Sequence, residues 1–332
     1  MPVPGAPRTV GLLVTCLLTG IVAVGCTGAP GPGPDATSTT SAAPEQATSP
    51  APEAPAITAE AAPADPADVR PAVAMHAVDA LAGRIGPRMA TGPDYRRAGR
   101  WVDRELTGLG YDVRRQPFDV PSGVSWGVPV DRGRSFNLVA TPPGFDETAP
   151  HLLVGAHLDT VPRAPGAEDN ASGIGALLSA ATAMRGRATR LPVVLVAFGA
   201  EEPRGPGDDD HHYGSRHYVS GMSPAQRSAL RGMVSLDRVG VGSVLPVCSA
   251  GPPDRLRAAV LRAARRAGVD AQPCADNRSS DHWSFVRDGL PAVRLGSTPY
   301  PQYHSAEDRP AVVDPAQLRR AARTVVAWVS GP

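Results

Sequence analysis

GAHLDTVPRAPGAEDNASG, residues 155–173, decides how the rest of this chain is read. An apolar run, His151 to Ala156, enters it and reads as a strand. A helix leaves it, from Ala171 to Met184, with Ile174, Leu177, Leu178 and Ala181 on one face. Between the two lies a Pro/Gly bend that keeps His157, Asp159 and Asp169 close together. Residues two apart in extended backbone point the same way, so Asp159 can stand behind His157 and hydrogen-bond its far nitrogen. Asp169 comes twelve residues after His157 and opens the helix. It reads either as an N-cap or as a carboxylate shared by two cations.

Working outward, helices are expected over Ala72–Ala82, with Pro71 at its first position, and over Tyr95–Leu109, ending at Gly110. Strands are expected over Tyr111–Val120, Phe136–Thr141 and His151–Ala156. Leu191–Phe198, a continuous apolar run, reads as a buried central strand. Gly232–Leu236, Val244–Cys248 and Ala292–Leu295 add further strands. Arg255–Ala267, Asp281–Arg287 and Pro315–Val329 add helices. Alternating strands and helices imply an α/β three-layer sandwich, with a mainly parallel or mixed central β-sheet flanked by helices. Ligands of such sheets sit beyond the carboxyl ends of the strands. The polar residues after Ala156, Phe198 and Leu236 fall there.

Those residues form a set. Glu201-Glu202 follows the apolar run, and two adjacent acids at a buried strand end are costly unless something positive faces them. They read either as a solvated strand end or as one metal ligand beside one general base. Asp237 closes the strand MVSLD, and His304 lies beside Tyr303 in QYHSAEDR. Imidazoles and carboxylates at strand ends are what a two-zinc hydrolytic site needs.

Taken in order, GAHLDTVPRAPGAEDNASG, FGAEE, SLDRVG, SDHWSF and YHSAEDR resemble metallopeptidase family 28, the co-catalytic zinc aminopeptidases, from about Pro71 onward. The resemblance implies two zinc ions per chain and peptide substrates cut at the N-terminal residue. By position, His157 and Asp237 would hold one zinc, Glu202 and His304 the other, and Asp169 would bridge. Glu201 would be the general base. Asp159 would orient His157, and Tyr303 would hydrogen-bond the oxyanion. Asp169-Asn170 matches the family's cis peptide position.

The chain departs from the family in places. Ser235 stands where Asn is usual. PRGPGDDDHH, residues 203–212, is an insertion before Gly214-Ser215 and reads as a solvated loop at the cleft mouth. Arg278 lies one residue further from SDH than in some relatives. Trp283, Phe285 and Tyr300 are candidates for an apolar substrate pocket and equally for core packing. HLDTVP also resembles family 20 carboxypeptidases and deacylases, but the short His157-to-Asp169 step argues against them. Other rivals are one-zinc glutaminyl cyclases, other amide hydrolases, and a binding lipoprotein that keeps the fold.

Arg8 and the apolar stretch Val10–Val24 read as a signal peptide, residues 1–26, whose Ala-Val-Gly-Cys end resembles a bacterial lipobox with Cys26 as the lipidated residue. Residues 27–68 are Pro, Ala, Ser, Thr and Gly with too little apolar surface to fold. They read as a disordered tether of about 40 Å. Residues 69–332 form the catalytic domain. The product is expected outside the cell, as a cell-surface lipoprotein or a secreted protein, touching membrane only through a lipid anchor. The net charge is +1 with no basic cluster, which argues against nucleic acid. No Lys occurs, so Schiff-base and P-loop chemistry are excluded. Cys248 and Cys274 are the folded region's cysteines. They read as a disulfide in an exported domain, or as two buried thiols.

Overall fold

The structure, a computed structural model, describes residues 61–251, 254–275 and 277–331. The expected signal peptide, Cys26 and most of the expected tether lie outside them. Residues 61–68, part of the tether by composition, pack onto the domain. Pro63 bridges to Ala188, Ala64 is buried, and a 3-10 turn spans Pro66–Asp68. Proline's fixed φ and the Asp65 carboxylate, which accepts from the Ala67 N–H, hold this stretch with few aliphatic side chains.

Helix α1 spans Pro71–Val78 and continues as wider helical turns to Ile85, stopped by Gly86 at φ 83°. Helix α2 follows at Pro93–Gly108. Then come β1 (Asp112–Val120), the small hairpin β2 (Gly123–Ser125) and β3 (Val128–Val130), β4 (Gly133–Thr141) and β5 (His151–His157). After α3 (Ser172–Met184) and β6 (Val193–Phe198) come α4 (Tyr213–Ser220) and α5 (Pro224–Ala229). The chain ends β7 (Leu230–Leu236), β8 (Leu245–Cys248), α6 (Arg255–Arg266), β9 (Ala271–Cys274), α7 (His282–Val286), β10 (Ala292–Leu295) and α8 (Pro315–Ser330).

One eight-stranded sheet runs β1-β4-β6-β5-β7-β10-β8-β9. Its central strands β6, β5, β7 and β10 are parallel. On either side of this group, β4 and β8 run antiparallel to it. The mixed, three-layer α/β architecture expected from sequence is therefore present. Alternation sorts the side chains. Leu152, Val154, Leu195, Ala197, Val234 and Leu295 face the layer of α1, α3 and α8. Leu153, Val194, Val196, Phe198 and Met233 face α4 and α7. Each fully buried Val, Leu or Phe contributes about 1.5–3 kcal/mol. A sheet covered on both faces is thus a rigid base for its strand ends.

Several elements differ from expectation. β6 starts at Val193 because Pro192 has no N–H to donate, though its carbonyl accepts from Leu152 at 2.9 Å. The β2–β3 hairpin turns at Trp126-Gly127, both with positive φ, at 47° and 75°. Tight turns of that kind usually carry Asn or Gly first, so Trp126 hides the signal. Helices α4 and α5 and strand β9 are short, and their mixed composition gives no periodicity. Cys248 and Cys274 end the adjacent parallel strands β8 and β9 with Cα atoms 4.4 Å apart, joined as a disulfide.

Candidate active site

Three parallel strand ends deliver the central groups. His157 is the last residue of β5. Glu201 and Glu202 follow β6, and Asp237 follows β7. Asp169 sits just before α3, and His304 comes from the loop after β10. All are largely buried. The structure brings together every ligand expected from sequence.

Asp169 is the centre. Its Oδ1 lies 3.1 Å from His157 Nε2 and its Oδ2 lies 3.0 Å from His304 Nε2. Each oxygen of one carboxylate thus faces a different imidazole. His157 Nε2 is also 3.8 Å from Asp237 Oδ1 and 4.0 Å from Glu201 Oε2. His304 Nε2 is 3.5 Å from Glu202 Oε2. Two groups have ligand atoms within 4.8 Å of one another, His157–Asp169–Glu202 and His157–Glu201–Asp237.

Burial dominates the electrostatics. It pushes the Glu201 carboxyl up to about 8, with Asp237 and Asp169 adding to the rise and His157 opposing it. Burial likewise pushes Glu202 up to about 8, against His304 and with Asp169. Burial also raises Asp169, but the hydrogen bonds of the two imidazoles outweigh it and hold this carboxyl well below its usual range. On the rings, burial opposes charge, yet the surrounding carboxylates win and raise both His157 and His304, the latter to about 10. Glu202 Oε1 and His304 Nδ1 are buried without a hydrogen-bond partner among the described residues, and Asp237 Oδ1 has charge contacts with Arg294 and Arg238 but no hydrogen bond. Crowded carboxylates, imidazoles and unsatisfied oxygens at one point are a donor set that fits divalent cations of the zinc type.

The backbone around these groups is fixed by other buried polar side chains. Asp159 does not meet His157 as expected. The ring's Nδ1 lies 3.2 Å from the Asp159 backbone carbonyl, while the carboxylate is 3.8 Å away. That carboxylate instead accepts from the N–H groups of Glu201 and Glu202, both at 3.1 Å, and so ties two strand ends together. Asp308 accepts from the N–H groups of Glu168 and Asp169, at 2.8 and 3.1 Å, and from the Tyr300 hydroxyl. The Asp169–Asn170 peptide is cis. Asn170 accepts from the Gly173 N–H and donates to the Leu236 carbonyl. A Cβ on Gly173 would collide with both Asn170 and that carbonyl.

Tyr303 stacks on His304 with ring centroids 3.7 Å apart, and Trp126 meets His304 edge-on at 4.3 Å. Trp126 and Tyr303, with Val124, Pro203, His212 and Glu201, line an open cavity of about 430 Å³. Trp126 is 54% exposed and Tyr303 37%. Trp283 and Arg278 line an adjoining cavity. Phe285 is instead fully buried against Phe198 and Tyr218, and Tyr300 is buried with its hydroxyl on Asp308. Of the three aromatic pocket candidates, Trp283 lines a cavity beside the site.

The sequence model of peptidase family M28 matches residues 137–329, the span that carries every one of these strand ends. The chain belongs to that family. Aminopeptidase YwaD of Bacillus subtilis is 30% identical over 189 residues, which is 54% of this chain and 40% of that protein. The chain therefore matches less than half the length of that relative. Among solved structures, the zinc aminopeptidase BSAP from Bacillus subtilis superposes with a TM-score of 0.69 at 18% identity, over 79% of this chain and 94% of that one. The glutaminyl cyclase of Fimbriiglobus ruber superposes with a TM-score of 0.66 at 23% identity, over 79% and 95%. At such identities the two superpositions speak to the fold.

Three residues of the site escape sequence reasoning. Arg88 is fully buried and donates to the carbonyls of Leu158, Pro165 and Gly166, at 3.0, 2.6 and 3.1 Å, clamping the bend between His157 and Asp169. Arg294, fully buried on β10, sets its Nη2 3.3 Å from Asp237 Oδ1. His212 falls in the segment expected to be a solvated loop. It is buried, with Nε2 3.2 Å from Glu201 Oε1. The acidic residues before it hide this, because Asp208 to Asp210 do stay at the surface.

Proposed function

We propose that this chain is an aminopeptidase that uses two zinc ions to hydrolyse the N-terminal peptide bond. The observation that carries the reading is Asp169, whose two oxygens face two different imidazoles at 3.1 and 3.0 Å, as a shared carboxylate between two cations must. In this reading His157 and Asp237 hold one ion, and Glu202 and His304 the other. Bound there, the ions would polarise the scissile carbonyl and lower the pKa of the attacking water.

The chain's own groups do the rest. Glu201 is buried and lies on the His157 side of the cluster, with Oε2 directed toward it. It takes the proton of the attacking water on Oε2 and delivers it to the leaving amine. The Tyr303 hydroxyl donates to the developing oxyanion from the cavity rim. The free amine of the substrate pairs with Glu201 and Asp237, which restricts cutting to the first residue. Peptides enter through the cavity walled by Trp126, Val124 and Tyr303. We further read the enzyme as exported, with residues 1–26 as signal and Cys26 as the lipid anchor, and its catalytic unit as beginning before residue 69.

A second reading has one specific observation behind it. Asp237 Oδ1 already faces the Arg294 guanidinium at 3.3 Å and Arg238 Nε at 3.7 Å. A carboxylate paired in this way is a poorer ligand, as a one-zinc cyclase would allow. A panel of aminoacyl-anilides separates the two. Turnover that a chelator abolishes and zinc restores is expected. Cyclisation of N-terminal glutaminyl peptides with no anilide turnover would replace the aminopeptidase reading.

A further inference from the structure

We propose that His212 is a positioning residue for Glu201, holding one carboxylate oxygen so that the other is presented to the attacking water. The inference rests on the reading of Glu201 as proton acceptor. Glu201 divides its oxygens. Oε1 lies 3.2 Å from His212 Nε2, and Oε2 is the oxygen directed toward His157 at 4.0 Å. A terminal carboxylate rotates about a broad two-fold torsion, so an unheld Glu201 would present its oxygens over a range of directions. An imidazole nitrogen fixed 3.2 Å from Oε1 limits that freedom. Displacing a reacting group by about 1 Å can cost about 10²-fold in rate. In this role His212 is neutral, carries its proton on Nε2 and keeps it throughout.

The chain is built to hold this contact. His212 belongs to the inserted segment 203–212, which closes back on the strand end that bears Glu201. The His212 N–H donates to the Glu201 carbonyl at 2.9 Å, and the Tyr213 N–H donates to the Ala200 carbonyl at 2.8 Å. Ala200 and His212, neither of them glycine, both take left-handed backbone, with φ of 52° and 57°. Side-chain-bearing residues enter that region at a cost, and such strain gathers at functional sites. Further out, Asp209 pins the segment to Arg216 and Arg287, at 3.2 and 2.9 Å. The Arg204 N–H donates to the Asp210 carbonyl at 2.8 Å, closing the loop. His212 and Glu201 also line the same cavity, so the imidazole acts where substrate arrives.

The test uses the full zinc-loaded chain on aminoacyl-anilides. His212→Ala is expected to lower kcat by about 10–100-fold. KM and the zinc content should stay near wild type. His212→Gln, whose amide can still donate, is expected to recover part of the loss. In a Glu201→Gln background His212→Ala should add little, because the two residues act as one unit. An unchanged kcat, or an equal loss in both backgrounds, would overturn the proposal. A readout free of turnover covers the case in which the alanine variant does not fold. In wild-type protein labelled at histidine, the Nε2 proton of His212 should give a protected, downfield NMR resonance that moves in Glu201→Gln. A resonance that ignores Glu201 would overturn the contact. Absent anilide turnover by wild type would instead bring down the aminopeptidase reading.

Discussion

Glu201→Gln is expected to lower kcat on aminoacyl substrates by about 10²–10⁴-fold, the usual cost of losing a positioned general base. Zinc content and thermal stability should stay near wild type. The substitution keeps size and one acceptor oxygen but cannot take a proton. Its backbone N–H still reaches the Asp159 carboxylate, so the strand end is undisturbed. Glu202→Gln provides the contrast. That residue faces His304 at 3.5 Å and has a buried oxygen with no partner among the described residues. Its loss should appear first in metal affinity and only then in turnover. Steady-state kinetics with metal analysis on both variants checks the assignment. The opposite pattern would exchange the two roles.

Asp169→Asn is expected to be the most damaging single change to metal binding. One carboxylate faces both His157 and His304, so removing its charge touches both halves of the cluster at once. The backbone reasons for its position remain, since Asp308 still accepts from the N–H groups of residues 168 and 169. Metal analysis should therefore find both ions weakened in a protein that still folds. Turnover should fall on the order of 10³-fold or more, the equivalent of several kcal/mol of lost transition-state stabilisation. His304→Ala, by comparison, removes one ligand from one side and should release one ion. Loss of a single ion from Asp169→Asn would show that the carboxylate is not shared.

Much of this site is legible in the amino-acid order itself, and the reason is topological. His157, Glu201, Glu202 and Asp237 each follow a short apolar run, and such runs become central parallel strands whose ends lie side by side. What stays hidden are contacts set by folding across long separations. Arg294 reaches Asp237 from a neighbouring strand 57 residues on, and Arg88 reaches the 158–166 bend from 70 or more residues away. Nothing in their local composition marks them. His212 is hidden differently. Three consecutive acids stand shortly before it, so composition places the whole insertion in solvent, whereas its last residue returns to the strand end. Asp159 shows the limit of the two-residue rule. It stands behind His157 as extended backbone predicts, but its carboxylate is drawn to the paired N–H groups of Glu201 and Glu202. Residues 61–68 seat on the domain through prolines and one buried alanine, although the segment has almost no aliphatic content.

A carboxylate shared between two metal ions requires both ions in the active enzyme. The most direct test counts zinc on purified, catalytically active protein by elemental analysis. Close to two zinc ions per chain are expected, with aminoacyl-anilide turnover that disappears when they are chelated. One zinc per chain at full activity would contradict it.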